Sequence, residues 1–164
     1  MDRVAFETLG CKVNQYETEA MMELFEKAGY KVVNFGDIAD VYVINTCTVT
    51  SFGDKKSRQM IRKARKMNGN AIIAVAGCYS QVSPGSVTEI PGVDIVIGTD
   101  ERRKIVEYVN EYKSSQSQVI HVGNIMDVRE FEELDIEEYK GRTRAFLKIQ
   151  DGCNRYCSYC LIPY

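Results

Sequence analysis

Three cysteines near the end of the sequence carry the clearest chemical signal in the chain. Cys153, Cys157 and Cys160 form a C-x3-C-x2-C run, and Tyr159 directly precedes the last thiol. Three thiolates at this spacing fit one face of an iron–sulfur cube and leave one iron without a protein ligand. An open iron can bind and activate a substrate. The spacing therefore predicts a cluster that does chemistry rather than one that only carries electrons.

The other three cysteines are far apart in the sequence, but each follows a strand-like segment. Cys11 comes after the first such segment, Cys47 follows Val41–Thr46 and Cys78 follows the segment 71–76. The carboxyl ends of parallel strands line one edge of a sheet, and ligands bind in the crevice outside that edge. If the three strands are neighbours, their thiols can converge there. This pattern favours a second iron–sulfur cluster, again with three thiolates and one open iron.

Other interpretations of these cysteines remain open from the residues alone. Free cysteines are often small buried hydrophobes without a ligand. Zinc is a competing metal, but structural zinc normally takes four ligands, and the only histidine, His121, has no ligand spacing to the cysteines. Three disulfides are disfavoured, because disulfide frameworks belong to small secreted scaffolds and this chain is predicted to be a cytoplasmic α/β domain.

The elements that must position these thiols alternate between two periodicities. Strand-like runs occur at 3–9, 41–46, 71–76 and 94–98, with weaker candidates at 31–34 and 118–122. Between them, apolar residues recur at helical spacing, as in Met21, Leu24, Phe25 and Ala28, and Asn14 with Glu17 indicates a cap for that helix. The alternation predicts an α/β fold, a three-layer wound parallel sheet of about five strands with helices on both faces.

Three parts are predicted along the chain. Residues 1–116 form the domain with the strand-end cysteines, and 117–143 form a linker in which 127–138 is strongly acidic. Residues 144–164 form the first strand and the cluster loop of a second domain, since 144–150 alternates like a strand before the C-x3-C-x2-C run.

Composition sets broad limits on function. The chain has 164 residues, of which 45% are apolar and 27% charged, and its net charge is −2. No apolar run approaches the ~20 residues of a membrane span, and the N-terminus does not read as a signal peptide, which predicts a cytoplasmic protein without membrane contact. The segment 55–66 is nevertheless strongly basic, and is either a solvated helix face or a surface that contacts RNA phosphates.

Taken together, these segments resemble the radical-SAM methylthiotransferases over the whole chain. They are Thr-Leu-Gly-Cys-Lys-Val-Asn-Gln-Tyr-Glu-Thr-Glu at 8–19, Asn-Thr-Cys at 45–47, Gly-Cys at 77–78 and the C-x3-C-x2-C run. Within the family, the first segment is most similar to the branch that methylthiolates N6-threonylcarbamoyladenosine beside the anticodon of tRNA. The resemblance is to the N-terminal part of such an enzyme, with only the start of a radical-SAM barrel.

The resemblance implies a role for each cysteine. Cys153, Cys157 and Cys160 would hold a 4Fe-4S cluster that cleaves S-adenosyl-L-methionine, with Tyr159 near the adenine of that cofactor. The strand-end set would hold an auxiliary 4Fe-4S cluster that carries the sulfur. The partners implied are tRNA and a reductant such as flavodoxin or ferredoxin.

Two expectations accompany this resemblance. The chain by itself is expected to have little or no methylthiotransferase activity, because the rest of the barrel and the RNA-binding domain would follow Tyr164. The alternative function is a non-enzymatic metal-binding module, either zinc-stabilised or an electron-transfer iron–sulfur protein.

Overall fold

The computed structural model describes residues 1–47, 51–128, 132, 134, 136–137, 146–160 and 162. Its strands are β1 (Arg3–Thr8), β2 (Lys31–Val33), β3 (Val41–Thr46), β4 (Ile72–Gly77), β5 (Ile95–Ile97) and β6 (Val119–His121). Its helices are α1 (Lys12–Lys27), α2 (Ser51–Met67), α3 (Cys78–Val82), α4 (Pro84–Thr88) and α5 (Ile105–Ser115), with 3-10 turns at Arg102–Lys104 and Ile125–Asp127.

The strands form one parallel sheet with the order β2-β1-β3-β4-β5-β6. The predicted wound α/β fold is confirmed. The described residues contain six strands where about five were expected. The edge strands β2 and β6 lie within the two weaker candidates of the sequence, since strands of three residues show little hydrophobic pattern.

Helices cover both faces of the sheet, as expected. On one face, α1 and α5 pack over the sheet, and Phe25 contacts the rings of Phe6 and Tyr30 at centroid distances of 5.7 and 5.0 Å. On the other face, α2, α3 and α4 supply Met60, Ile61 and their neighbours. Every residue of β3 and β4 is buried, because central parallel strands are covered on both sides.

The strand order fixes where a ligand would bind. From β1 the chain moves outward to β2 and then returns to β3 on the other side of β1, so the direction of winding reverses between β1 and β3. In wound α/β sheets, ligands bind outside the carboxyl ends of the strands at such a reversal. The segments after β1 and β3 flank this position, and β4 is the next neighbour of β3.

Residues 146–150 do not form the strand that the alternating pattern predicts, and 144–145 lie outside the described residues. The alternation itself persists, with Leu147 and Ile149 83% and 85% exposed. The side chain of Lys148, by contrast, is only 2% exposed, because it binds the carboxylates of Glu17 and Asp151. The ion pairs of Lys148 and the apolar packing of Phe146, rather than a strand ladder, therefore hold this segment.

The lengths and polarities of the helices bear on membrane insertion. In the described ranges, each helix is too short or too polar to cross a lipid bilayer.

Candidate metal centre

Cys11 caps the first helix at the carboxyl edge of the sheet. β1 ends at Thr8, and Gly10 turns the chain with φ of +112°. Cys11 then adopts an extended conformation as the residue before α1, where its thiol is exposed and donates a hydrogen bond to Asn14 Oδ1 at 3.2 Å. The first thiol thus lies at the N-terminal end of a helix, where the helix dipole favours negative charge.

A pair of buried asparagines ties the first cysteine loop to the second. Asn14 Nδ2 donates to Leu9 O at 3.1 Å and to Thr46 O at 2.9 Å, so one side chain joins the ends of β1 and β3. In turn, Asn45 Nδ2 donates a hydrogen bond to Asn14 O at 3.0 Å. Asn14 lies in the first turn of α1 and is not the N-cap that its spacing to Glu17 suggested. Its function is to hold two loops in register.

Cys47 follows β3 directly and packs against Gly10. A Cβ atom at position 10 would lie 2.7 Å from Cys47 Cβ and 3.1 Å from Cys47 Sγ. Only glycine, without a Cβ, permits this approach and this positive φ together. Cys47 is half-buried, so the first and second cysteines belong to loops in direct contact.

Cys78 begins α3 immediately after β4. Gly77, with φ of +94°, leaves no room for a side chain, since a Cβ there would overlap Asn45 Oδ1 and lie 2.6 Å from Thr46 O. Thr46 Oγ1 also donates to Ala76 O at 2.6 Å. The loop of the third cysteine is therefore packed against the loop of the second.

The electrostatics of Cys78 reflect the same proximity. Burial raises the pKa of its thiol to about 11, and the charges of Cys47, Glu17 and Cys11 add to this shift, while Arg102 opposes it. At neutral pH the thiol is protonated unless a cation is bound. Metal binding to this residue must then release a proton.

These observations bring Cys11, Cys47 and Cys78 to one edge, as the sequence predicted, but not onto one point. Within the described part of the chain, no three His, Cys, Asp or Glu side chains are grouped as they would be around a single metal ion. A cube of iron and sulfide differs from a single ion because each thiolate binds a separate iron. Close packing at Gly10 and Gly77 and the electrostatic effect of Cys11 and Cys47 on Cys78 are compatible with such a cube, and the cluster itself stays a prediction.

The alternative zinc site with the sole histidine finds no support in the geometry. His121 ends the edge strand β6, and its ring stacks on Tyr108 with centroids 4.0 Å apart. Its Nε2 lies 3.4 Å from Glu111 Oε2. The strand β5 separates β6 from β4, where the third cysteine loop begins.

A cavity of about 280 Å³ opens beside the strand-end cysteines. Cys11 and Cys78 line one side of it, and Gln150, Asp151 and Gly152 line another. The segment directly before Cys153 therefore lines the same cavity as Cys11 and Cys78, although it is remote from both in the sequence.

A buried ion network holds this arrangement, and its central residue is Arg102. The side chain is 2% exposed and binds Glu17 Oε2 at 2.5 Å, Glu132 Oε2 at 2.9 Å and Asp151 Oδ2 at 3.3 Å. Lys148 Nζ bridges Glu17 at 3.1 Å and Asp151 at 2.5 Å. Sequence reasoning missed this network, because Arg102 lies in a charged run that reads as surface. Its only signal was Glu17, inside the first cysteine motif.

The C-x3-C-x2-C loop is more exposed than the first set. Cys153 and Cys160 are half-buried and Cys157 is exposed. A turn brings two of them together, with Cys160 N donating to Cys157 O at 3.0 Å. Tyr159 is 90% exposed. The predicted roles of these four residues remain predictions.

Comparisons with known proteins agree with the cysteine pattern. Residues 3–98 match the family described as "Uncharacterized protein family UPF0004". The threonylcarbamoyladenosine tRNA methylthiotransferase MtaB of Bacillus subtilis (strain 168) is 55% identical over 164 residues, which are 100% of this chain and 36% of that protein. The protein of the same name from Aquifex aeolicus (strain VF5) is 44% identical over 99% of this chain and 40% of its own length.

A relative with a different name is less similar. The tRNA-2-methylthio-N(6)-dimethylallyladenosine synthase of Baumannia cicadellinicola is 29% identical over 99% of this chain and 37% of its own length. The predicted similarity to the threonylcarbamoyladenosine branch of the methylthiotransferases is confirmed. The chain spans about 36 to 40% of the length of these relatives. Since the family match covers more than half of its residues, the chain belongs to the family UPF0004.

Proposed function

We propose that this chain is the cluster-bearing N-terminal part of a tRNA methylthiotransferase that acts on N6-threonylcarbamoyladenosine. One observation carries the proposal: three cysteines end neighbouring parallel strands beside the winding reversal, on loops that pack against each other through Gly10 and Gly77. The names of the relatives supply the reaction. Because the chain spans well under half of their length, the activity is proposed for the whole protein.

Two 4Fe-4S clusters are the cofactors of the proposal. Cys11, Cys47 and Cys78 would hold the auxiliary cluster, and Cys153, Cys157 and Cys160 would hold the other, with Tyr159 beside the adenine of S-adenosyl-L-methionine. When bound, these cofactors would supply a radical that removes hydrogen from C2 of the adenine ring, the sulfur inserted there and the methyl group that completes the modification. A cytoplasmic reductant such as flavodoxin or ferredoxin would supply the electrons.

The residues of this chain have three tasks in such an enzyme. Gly10 and Gly77 keep the cysteine loops close enough to share a cofactor. Cys78 loses its proton when a metal binds, since its thiol has a raised pKa of about 11. Arg102 and Lys148 hold Asp151, and with it the segment before Cys153, at the cavity that Cys11 lines.

We propose the same three-part division of the chain as the sequence suggested. Residues 1–116 would form the auxiliary-cluster domain, 117–143 a connector and 144–164 the beginning of the radical-SAM domain. Within this connector, residues 119–121 also form the edge strand of the sheet.

The test is anaerobic reconstitution of the chain with iron and sulfide. We expect broad absorption near ~400 nm and, if both sites fill, about eight iron atoms per chain. Cys47→Ala should lower the iron content to about four while the circular dichroism of the helices is unchanged. Cys157→Ala is the matched variant for the other site and should remove the complementary half.

Two results would overturn the proposal. One is a Cys47→Ala protein that binds as much iron as the unmodified chain, since Cys47 would then not be a ligand. The other is a colourless protein with stoichiometric zinc, which would identify the metal-binding module instead.

A further inference from the structure

The solvent-facing side of α2 is the most strongly charged surface among the described elements. The helix has seven basic residues and one acidic residue, Asp54, whereas the whole chain has 21 basic and 23 acidic residues. The basic residues are Lys55, Lys56, Arg58, Arg62, Lys63, Arg65 and Lys66. We call the set without Arg65 the basic face. The apolar side of the helix packs on the sheet through Met60, Ile61 and Ala64.

The basic face has no acidic counterpart among the described residues. Arg65 is the member of the helix that forms an ion pair, with Asp94 Oδ2 at 2.7 Å. None of the six residues of the basic face forms an ion pair with a described carboxylate. A solvated helix face normally mixes both signs of charge, so six cations without acidic partners indicate a surface built for an anion.

Two described residues of the acidic segment, Glu132 and Glu137, form their ion pairs elsewhere and not with the basic face. Glu132 binds Arg102, and Glu137 binds Lys27 on α1 at 2.7 Å. Helix α1 covers the opposite side of the sheet from α2. Glu132 and Glu137 therefore lie away from the basic face.

The basic face begins beside the candidate metal centre. α2 starts four residues after Cys47, at the carboxyl edge of the sheet. Near this end, the guanidinium of Arg58 lies 5.7 Å from the ring centroid of Tyr79, the residue next to Cys78. The face then runs down the helix through Lys55, Arg62 and Lys66, at positions i, i+7 and i+11, over about 16 Å.

We propose that the basic face of α2 contacts the phosphate backbone of the RNA whose base is modified at the cysteine edge. The inference rests on the proposed function and adds to it the surface that holds the substrate. A polyanion bound along this face would extend to the end of α2 that lies near Cys47 and Cys78. The basic residues supply charge but no exposed aromatic ring, so they contact phosphates and do not read sequence.

The experiment measures binding of a synthetic anticodon stem–loop RNA to the reconstituted chain by fluorescence anisotropy, over a series of salt concentrations. The logarithm of the affinity should fall linearly with the logarithm of the salt concentration. The variant Lys55→Gln/Arg62→Gln/Lys66→Gln removes three charges from exposed positions. It should lower the magnitude of that slope by about 2 to 3.

The matched control removes the same number of exposed positive charges elsewhere, as Arg3→Gln/Lys27→Gln/Lys31→Gln. Its slope should equal that of the unmodified chain. Equal losses in the two triple variants, or no RNA binding by the unmodified chain, would overturn the inference. Displacement of RNA by polyglutamate at equal charge concentration would also overturn it and would indicate an acidic protein partner instead.

The iron content of each sample separates this inference from the proposed function. A chain that holds iron at its cysteines, but binds RNA without using α2, would refute only the inference. A chain that binds RNA through α2 but takes up no iron would refute the proposed function and leave the RNA surface intact.

Discussion

At the scale of single residues, Gly10 is the position where two cysteine loops meet. An alanine at position 10 would place its Cβ 2.7 Å from Cys47 Cβ. It would also have to adopt a φ of +112°, a backbone angle that residues with a Cβ rarely adopt. We predict that Gly10→Ala destabilises the fold by about 1 to 3 kcal/mol and lowers iron uptake at the strand-end site. Urea unfolding and iron analysis after reconstitution measure the two effects.

The control for this substitution is Gly36→Ala. A Cβ at position 36 would meet no other heavy atom within 4 Å, and Gly36 has no positive φ, so its replacement should change neither quantity. Equal behaviour of the two variants would show that close packing at position 10 is not required.

A second residue-scale prediction concerns the contact between Tyr108 and Glu101. The Tyr108 hydroxyl donates to Glu101 Oε2, and this bond, aided by Lys104, lowers the pKa of the carboxyl from its ordinary 4.5. A lowered pKa in the folded state means that the contact stabilises the fold above pH 4.5 and that this stabilisation is lost as the pH falls through the folded value.

Tyr108→Phe should therefore lower the stability by about 1 to 2 kcal/mol at neutral pH, with the difference from the unmodified chain shrinking in acid. Thermal unfolding between about pH 3 and pH 7 tests this. Tyr159→Phe is the control, since the side chain of Tyr159 is 90% exposed and the loss of its hydroxyl should leave the stability unchanged across this range. A difference for Tyr108→Phe that is the same at both ends of the range would contradict the ionised contact.

At the scale of elements, the ion network around Arg102 joins parts that no strand ladder connects. It links the helix α1 through Glu17, the turn after β5 through Arg102 itself, and the segment before the C-x3-C-x2-C run through Asp151. Removing one member of a buried ion pair leaves the others uncompensated. The network therefore holds the segment before the C-x3-C-x2-C run against α1 and the turn after β5.

We predict that Arg102→Met destabilises the chain by about 3 to 5 kcal/mol, since it leaves Glu132 buried without its cation and Glu17 with Lys148 alone. Urea unfolding measures the loss, and limited proteolysis should cut faster within 146–152. Arg103→Gln, at the exposed neighbouring position, should stay within about 0.5 kcal/mol. A loss below about 1 kcal/mol for Arg102→Met would show that the segment docks by other means.

The sequence predicted those elements whose residues repeat with a clear period. The apolar runs of β3 and β4 predicted buried strands, and all six residues of each strand are buried. The cysteines that follow these strands could therefore be placed at one edge of the sheet. Asn14 was predicted as a helix cap and Arg102 was not singled out, because their buried partners Asn45, Thr46 and Glu132 are about 30 residues away in the sequence. The alternation at 146–150 was real, but it follows a buried lysine rather than a strand.

At the scale of the whole molecule, the sheet separates two electrostatically different sides. The α1 and α5 side holds the acidic partners of Arg102 and Lys27, and the other side presents the basic face of α2. The cysteine edge lies between them, where both sides end. A polyanion near this edge is attracted toward the α2 side, where six basic residues have no ion-pair partner among the described carboxylates.

The last prediction concerns the fold without metal. The apolar clusters on both faces of the sheet contain no cysteine, and all six thiols are exposed or half-buried. We expect Cys11→Ser/Cys47→Ser/Cys78→Ser to keep its far-ultraviolet circular dichroism and to unfold cooperatively, although it loses the iron of that site. The unmodified chain should unfold at a higher temperature with its cluster than without it, because a ligand that binds only the folded state stabilises it.

Ile61→Ala is the converse control and should lower the stability by about 2 to 5 kcal/mol while its folded fraction still binds iron. A triple variant that is unfolded would mean that metal builds the domain, as zinc does in small zinc-dependent modules.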